Sequence, residues 1–153
     1  MITEKTSYLS LFEHSPWVVE RAFEKAPFPD KPALHAALMQ IVENAPADEQ
    51  LSLIRAHPEL AAKTVPLTEA SHAEQKGAGL KALSPEEFER FSKLNASYRE
   101  KFGFPFIICV RMHHKASILE QFEVRLKHDI TTEMTQALQE IGHITRLRLE
   151  DIS

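Results

Sequence analysis

Three short stretches of this chain carry side chains whose types and spacing allow chemistry. The first is His57-Pro58-Glu59-Leu60. An imidazole titrates near neutrality and exchanges protons readily. The proline behind it disfavours helix at the preceding residue, so His57 is expected at a helix end. A histidine beside a proline is also an ordinary helix terminus, and the tetrapeptide alone does not decide. The second stretch is Ser71-His72-Ala73-Glu74-Gln75. On a helix, Ser71, Glu74 and Gln75 stand at i, i+3 and i+4 and share one side. A hydroxyl, a carboxylate and an amide together suit a small ring dense in N–H and C=O groups; the bland alternative is a solvated polar face. Gly77 and Gly79 follow at once, and two glycines in a helix are costly unless something approaches closely. The third stretch is Phe102-Gly103-Phe104-Pro105-Phe106-Ile107-Ile108, running on to Val110. An irregular backbone there either offers its N–H and C=O groups to a ligand or needs other partners, and simple core filling is the alternative.

Metal chemistry is poorly supplied. Glu140-Ile141-Gly142-His143 has the Glu-x-x-His spacing of helical di-iron sites, which require a second such motif and two further carboxylates. His113 and His114 are adjacent and diverge on a helix, so no metal site is expected. Cys109, the single cysteine, lies in an apolar run and reads as an inert core thiol.

The elements that must position these groups read as helices almost throughout, because glycine is scarce and the apolar spacing is helical. A first short helix is expected over Thr6–Glu13. A second has Ser15 as its cap and Pro16 at its first position, with Trp17, Val18, Arg21, Ala22 and Lys25 at helical spacing. Asp30 with Pro32 opens a third, striped by Leu34, Leu38, Ile41 and Val42 and ending near Asn44-Ala45-Pro46. A fourth runs from Ala47 to Ala56. Lys63 to Thr68 reads as a loop, with Thr68 or Ser71 capping the next helix. Ser84-Pro85-Glu86-Glu87 is a strong start signal, and Gly103 supplies the left-handed stop of that helix. Phe104 to Val110 is short, apolar and β-branched, either a buried extended crossing or the buried start of a helix. Helices over Lys115–Lys127 and Thr132–Leu149 follow, the last with Met134, Leu138, Ile141, Thr145 and Leu149 on one face. The expected architecture is therefore all-α: a single-domain bundle of roughly eight helices over residues 1–153, with one extended or irregular apolar segment near 104–110.

Composition narrows the function. Lys and Arg total 18 against 22 Asp and Glu, and a net charge of −4 argues against a nucleic-acid surface. Local arginines still suffice for a small anion. No apolar run is long enough to span a bilayer, and no signal stretch opens the chain. The final residues do not form the Ser-Lys-Leu peroxisomal address, so the cytoplasm is the expected location.

Taken together, the segments resemble the 2-oxo-4-hydroxy-4-carboxy-5-ureidoimidazoline (OHCU) decarboxylase family over essentially the whole chain. The resemblance lies in Phe12 with Ser15-Pro16-Trp17-Val18-Val19-Glu20, and in His57-Pro58-Glu59-Leu60-Ala61. It continues through Ser71-x-x-Glu74-Gln75 with Ala78-Gly79-Leu80, and through Leu94-Asn95 with Tyr98. Phe102 to Cys109 and Glu140-Ile141 with Arg146-Leu147-Arg148-Leu149 complete it. Each motif is weak, but their order and spacing are specific. The resemblance implies an all-α, usually dimeric enzyme that needs no cofactor and forms allantoin during urate degradation. It implies His57 as acid/base with Glu74 as its catalytic companion. Pro58, Ser71, Gln75 and the backbone of Phe106, Ile107, Ile108, Cys109 and Val110 would bind the substrate. An arginine near the end of the last helix would meet its charge: Arg148 in preference to Arg146, with Arg111 a further candidate. The expected partners are a small-molecule carboxylate and a second copy of the chain, with neither nucleic acid nor membrane. A helical carrier with the same pocket and no turnover is the competing reading. The two separate on whether His57 faces the same cavity as Glu74 and Gln75.

Overall fold

Helix-forming segments punctuated by proline and capping residues account for most of the molecule. The computed structural model describes residues 1–62 and 67–152. Seven α-helices are present among them: α1 (Trp17–Ala22), α2 (Lys31–Asn44), α3 (Ala47–Arg55), α4 (Glu69–Gly77), α5 (Pro85–Phe102), α6 (Lys115–Arg125) and α7 (Ile130–Glu150). Three 3-10 turns, Thr6–Tyr8, Phe23–Lys25 and Val110–Met112, complete the helical structure. No strand occurs among the described residues; a lone antiparallel bridge joins Ile2 to Phe28.

The caps act as their chemistry requires. Asp30 accepts the Ala33 N–H at the start of α2, and Asp129 does the same for Thr132 at α7. Ser84 and Glu87 close a full capping box on α5, whose end is turned by Gly103 at φ 79°. Thr68 caps α4, and the next turn is stopped by Gly79 at φ 81°. There the Gly79 N–H meets the Lys76 carbonyl and the Leu80 N–H meets that of Gln75, the paired bonds of a Schellman stop. Gly79 thus ends the helix rather than lying within it. A Cβ on Gly77 would touch nothing within 4 Å, so no close approach explains that glycine.

Three expectations are corrected. The segment Thr6–Glu13 is helical only over Thr6–Tyr8. Leu11, Phe12, Glu13 and Ser15 are all buried, whereas helix neighbours point about 100° apart and cannot all face one core. Irregular turns, with His14 at φ 47°, bury them together. Ser15 does not cap α1, because its hydroxyl donates to the Glu13 carbonyl. The buried face of α7 is Glu133, Ala137, Glu140, Ile144 and Arg148, with Ile141, Thr145 and Leu149 beside it. Met134 and Leu138 form its half-buried shoulder. Apolar spacing alone points to a rotated face, because the central row contains three charged residues. The loop expected over Lys63 to Thr68 falls mostly at 63–66, outside the described residues.

The apolar run after α5 is an extended crossing through the core. Phe104, Phe106, Ile107, Ile108 and Cys109 are buried, and Val110 begins a 3-10 turn. Phe106 stacks on Phe122 of α6 at 3.7 Å and meets the edge of Tyr98 of α5 at 5.3 Å. Such aromatic pairs add about 0.5–1.5 kcal/mol each beyond the area they bury. With no strand beside it among the described residues, two of the segment's peptide groups are paired by side chains. Arg125 Nη1 donates to the Ile107 carbonyl at 2.5 Å, and Glu140 Oε1 accepts the Cys109 N–H at 2.9 Å. Arg125 itself is buried and held by Glu133, which also accepts the Tyr98 hydroxyl. Gln136 holds the second oxygen of Glu140.

Candidate active site

Pro58 determines how His57 is presented. The last turn of α3 tightens before the proline, so the His57 N–H bonds to Ile54 rather than to Leu53. That frees the Leu53 carbonyl, and His57 Nδ1 takes it at 2.9 Å. A carbonyl can only accept, so Nδ1 carries the hydrogen and Nε2 carries the lone pair. Nε2 is buried with no hydrogen-bond partner among the described residues. Burial pushes the His57 pKa down to about 4, against smaller opposing effects of the Leu53 carbonyl and the Glu13 charge. The ring is therefore neutral at neutral pH, oriented, and free at one nitrogen.

Beside His57 lies a cavity of about 30 Å3. His57, Pro58 and Leu60 form one wall, and Ser71, Glu74 and Gln75 of α4 form another. Phe106, Ile107, Ile108 and Val110 close it from the extended segment, with Ile144 and Arg148 from α7. The ring of Phe106 is stacked on Phe122. Cys109 is the one expected binding residue outside this lining: its N–H is committed to Glu140 and its side chain is buried. Burial, followed by the Glu140 charge, raises the Cys109 thiol, in keeping with an inert core residue. Glu140 is likewise committed within the core, to Cys109 and Gln136.

Arg148 is the arginine that reaches this cavity. Its Nε and Nη2 grip the two oxygens of Glu74 at 2.9 and 2.8 Å, a bidentate pair. Nη1 donates to the Leu11 carbonyl, and Nη2 also reaches Glu13 at 2.8 Å and Ser71 Oγ at 3.2 Å. Arg146 is exposed and pairs with Glu150. Arg111 pairs with Asp151 and lines a larger outer cavity of about 560 Å3. That outer cavity shares Glu74, Val110 and Arg148 with the inner one. Gln75 is oriented by the Ala61 N–H, which donates to its Oε1 at 3.0 Å from a residue at φ 58°. Its NH2 end is left for the cavity.

Comparison with known proteins bears on what this arrangement does. The profile of the OHCU decarboxylase family matches residues 4–150. The chain belongs to the OHCU decarboxylase family. A 2-oxo-4-hydroxy-4-carboxy-5-ureidoimidazoline decarboxylase of Haloferax volcanii is 43% identical over 141 residues, covering 92% of this chain and 83% of that protein. A uric acid degradation bifunctional protein of Bacillus subtilis is 42% identical over 94% of this chain and 29% of its own length. Among solved structures, an (S)-allantoin synthase superposes with a TM-score of 0.75 at 32% identity, over 94% of this chain and 48% of that one. Membership of this decarboxylase family makes the chain an enzyme with a small-molecule substrate, and no helix among the described residues is long and apolar enough to cross a membrane.

One residue of this family member escaped sequence reading. Glu13 lies between Phe12 and the Ser15-Pro16-Trp17 motif and is 2% exposed. It accepts bonds from Ser71, Thr68 and Arg148. The available signal was the pair of buried-type neighbours, Leu11 and Phe12, which place Glu13 beside a core residue on any irregular path.

Proposed function

We propose that the chain decarboxylates 2-oxo-4-hydroxy-4-carboxy-5-ureidoimidazoline to (S)-allantoin, with His57 as the proton carrier. One observation supports this above all. His57, a neutral and oriented imidazole whose Nε2 has no hydrogen-bond partner among the described residues, lines the same cavity as Glu74, Gln75 and Arg148. A carrier without turnover would need the pocket but not a basic nitrogen kept clear of partners.

The substrate supplies its own electron sink, so the chemistry asks for no cofactor. The carbon that loses CO2 bears a hydroxyl and adjoins a C=N bond. As the C–CO2 bond breaks, its electron pair forms a C=C bond and the C=N pair moves onto nitrogen, which takes up a proton. His57 Nε2 then accepts the hydroxyl proton and returns a proton to the carbon bearing the ureido group. The sum is one proton consumed and one CO2 released. Protonation from a single side gives one enantiomer, provided Glu74, Gln75 and the main chain of 106–110 hold the ring. Arg148 is the group for the substrate carboxylate, which would replace one carboxylate by another on the same guanidinium. The inner cavity has room for about a single water, so the ring's route passes the Glu74–Arg148 pair from the outer cavity.

Generating the unstable intermediate from urate with urate oxidase and hydroxyisourate hydrolase, and following circular dichroism, tests this. The wild-type chain should speed the appearance of optically active allantoin. His57→Gln should lose about 10²–10⁴-fold in rate, yield racemic product and still bind (S)-allantoin. Undiminished turnover in that variant rules out His57 as proton carrier. The same reading includes one domain over 1–153, a homodimer and a cytoplasmic location; light scattering of the purified chain and cell fractionation test the last two.

A further inference from the structure

Glu13 is the charged group at this site for which the reaction above gives no role. It stands behind the cavity wall, on the irregular turns before α1. Its Oε1 receives three donors from two other parts of the fold: Ser71 Oγ at 2.5 Å, Thr68 Oγ1 at 2.9 Å and Arg148 Nη2 at 2.8 Å. Its Oε2 is buried without a hydrogen-bond partner among the described residues, as is His57 Nε2. Burial pushes the Glu13 carboxyl up, yet the Ser71 bond, the Arg148 charge and the remaining bonds outweigh it and hold it below the usual range. Glu13 is thus an anion in the core.

The charges at the site do not balance. Arg148 is already gripped by both oxygens of Glu74, so Glu13 leaves two carboxylates to one guanidinium. A spare buried anion is costly, and in a pocket meant for a carboxylate it opposes binding. It becomes favourable only when a positive charge appears nearby during turnover. The imidazolium of His57, formed when Nε2 takes the hydroxyl proton, is that charge. The groups that act on the His57 ring are the Leu53 carbonyl from α3, Glu13 and His14 from the turns before α1, and Arg148 from α7. Glu74 of α4 shares the cavity wall. Of these, Arg148 and His14 disfavour an added proton, and Glu74, displaced only while the substrate carboxylate holds Arg148, pairs with that guanidinium again once CO2 has left and before Nε2 takes the proton. Nδ1 is spent on a neutral carbonyl, so no carboxylate bonds to the ring directly.

We propose that Glu13 is a positioning residue for the decarboxylation: it fixes the Ser71 hydroxyl and the Arg148 guanidinium, and it supplies the counter-charge for His57 when that ring is protonated. The inference rests on His57 as the proton carrier. It gives Glu13 two separable duties, one of geometry and one of charge.

Glu13→Gln separates them, because the amide keeps an acceptor for Ser71 and Thr68 and removes the charge. Three readouts on the intact chain are needed: the far-ultraviolet spectrum and melt, the His57 titration by NMR, and kcat and KM in the coupled circular-dichroism assay. The expected result is a folded protein whose His57 titrates at lower pH than in the wild type, with kcat down about tenfold or more, part of the 10²–10⁴-fold worth of a placed acid/base, and KM little changed. Glu13→Asp keeps the charge, so its His57 titration should stay near the wild-type position and part of kcat should return. An unmoved His57 titration in Glu13→Gln, or a lower melt with unchanged kcat, overturns the proposal. Should the Gln variant not fold, the Asp variant decides: complete loss of kcat with an unmoved titration leaves geometry alone and overturns the charge role. A wild-type chain that forms no optically active allantoin would instead sink the decarboxylase reading, while the titration still reports the Glu13–His57 coupling.

Discussion

At His57 and Glu13, burial acts on both side chains and the outcome is opposite. Burial wins at His57 and holds it neutral; hydrogen bonds and the Arg148 charge win at Glu13 and hold it ionised. The signs give separate pH windows. The unfolded chain binds a proton at His57 near its ordinary 6.5 that the folded chain refuses until about 4. Stability should therefore fall as pH is lowered from 6.5 towards 4 and be flat in this group above 6.5. Glu13 contributes stability that is present above its ordinary 4.5 and is lost only as pH drops through its lowered folded value. His35, also lowered by burial, adds to the first window. Melts of wild type and His57→Gln between pH 7 and 4.5 should diverge, with the variant less steep; parallel curves would mean that His57 is not held neutral by folding. At this scale the sequence was partly legible. His57, Glu74 and Gln75 stand out through their spacing and their neighbours. Glu13 does not, because apolar Leu11 and Phe12 beside it are a weak local signal for a buried carboxylate. Its partners lie 58 and 135 residues away.

Among the elements, helices with a capping side chain and a proline or glycine stop were readable, as α2 and α5 illustrate. The first turns were not, because Leu11, Phe12 and Glu13 are buried by tertiary contact rather than by period. The extended segment 104–110 was visible as a break in helical spacing, but the groups that pair its backbone were not. Arg125 looks like an ordinary helix-surface charge, and Glu140 draws notice only through its Glu-x-x-His spacing and the family resemblance, yet each bonds a peptide group of this segment. Glu140→Gln keeps an oxygen for the Cys109 N–H and should behave almost as wild type. Glu140→Leu strands that N–H, at about 1–3 kcal/mol. For a chain of this size each kcal/mol lowers the melt by roughly 2–4 °C. Weaker binding of (S)-allantoin should accompany it, since the segment forms one wall of the cavity. Equal melts and equal affinity for the two variants would show that this bond does not set the segment's position.

Across the whole molecule, α7 carries a buried ionic cluster at each end. Near its start, Glu133 gathers Arg125, Tyr98 and His128; near its finish, Arg148 gathers Glu13 and Glu74. None of the first cluster's residues lines the cavity, whereas Arg148 and Glu74 of the second do. Glu133→Gln leaves the buried Arg125 charge uncompensated and should cost about 3–5 kcal/mol, seen as a large drop in the melt. The handedness of the allantoin formed below the melt should not change; a racemic product would tie this distant cluster to catalysis. The motif order along the chain brought these distant segments together on paper, but only the fold shows that one helix joins them. The extended segment threads between the two clusters and ends at Cys109, whose thiol is sealed from solvent and disfavoured as thiolate. An alkylating reagent can therefore reach that sulfur only when the crossing comes loose, which makes the chain's single thiol a clock for how often the cavity wall opens.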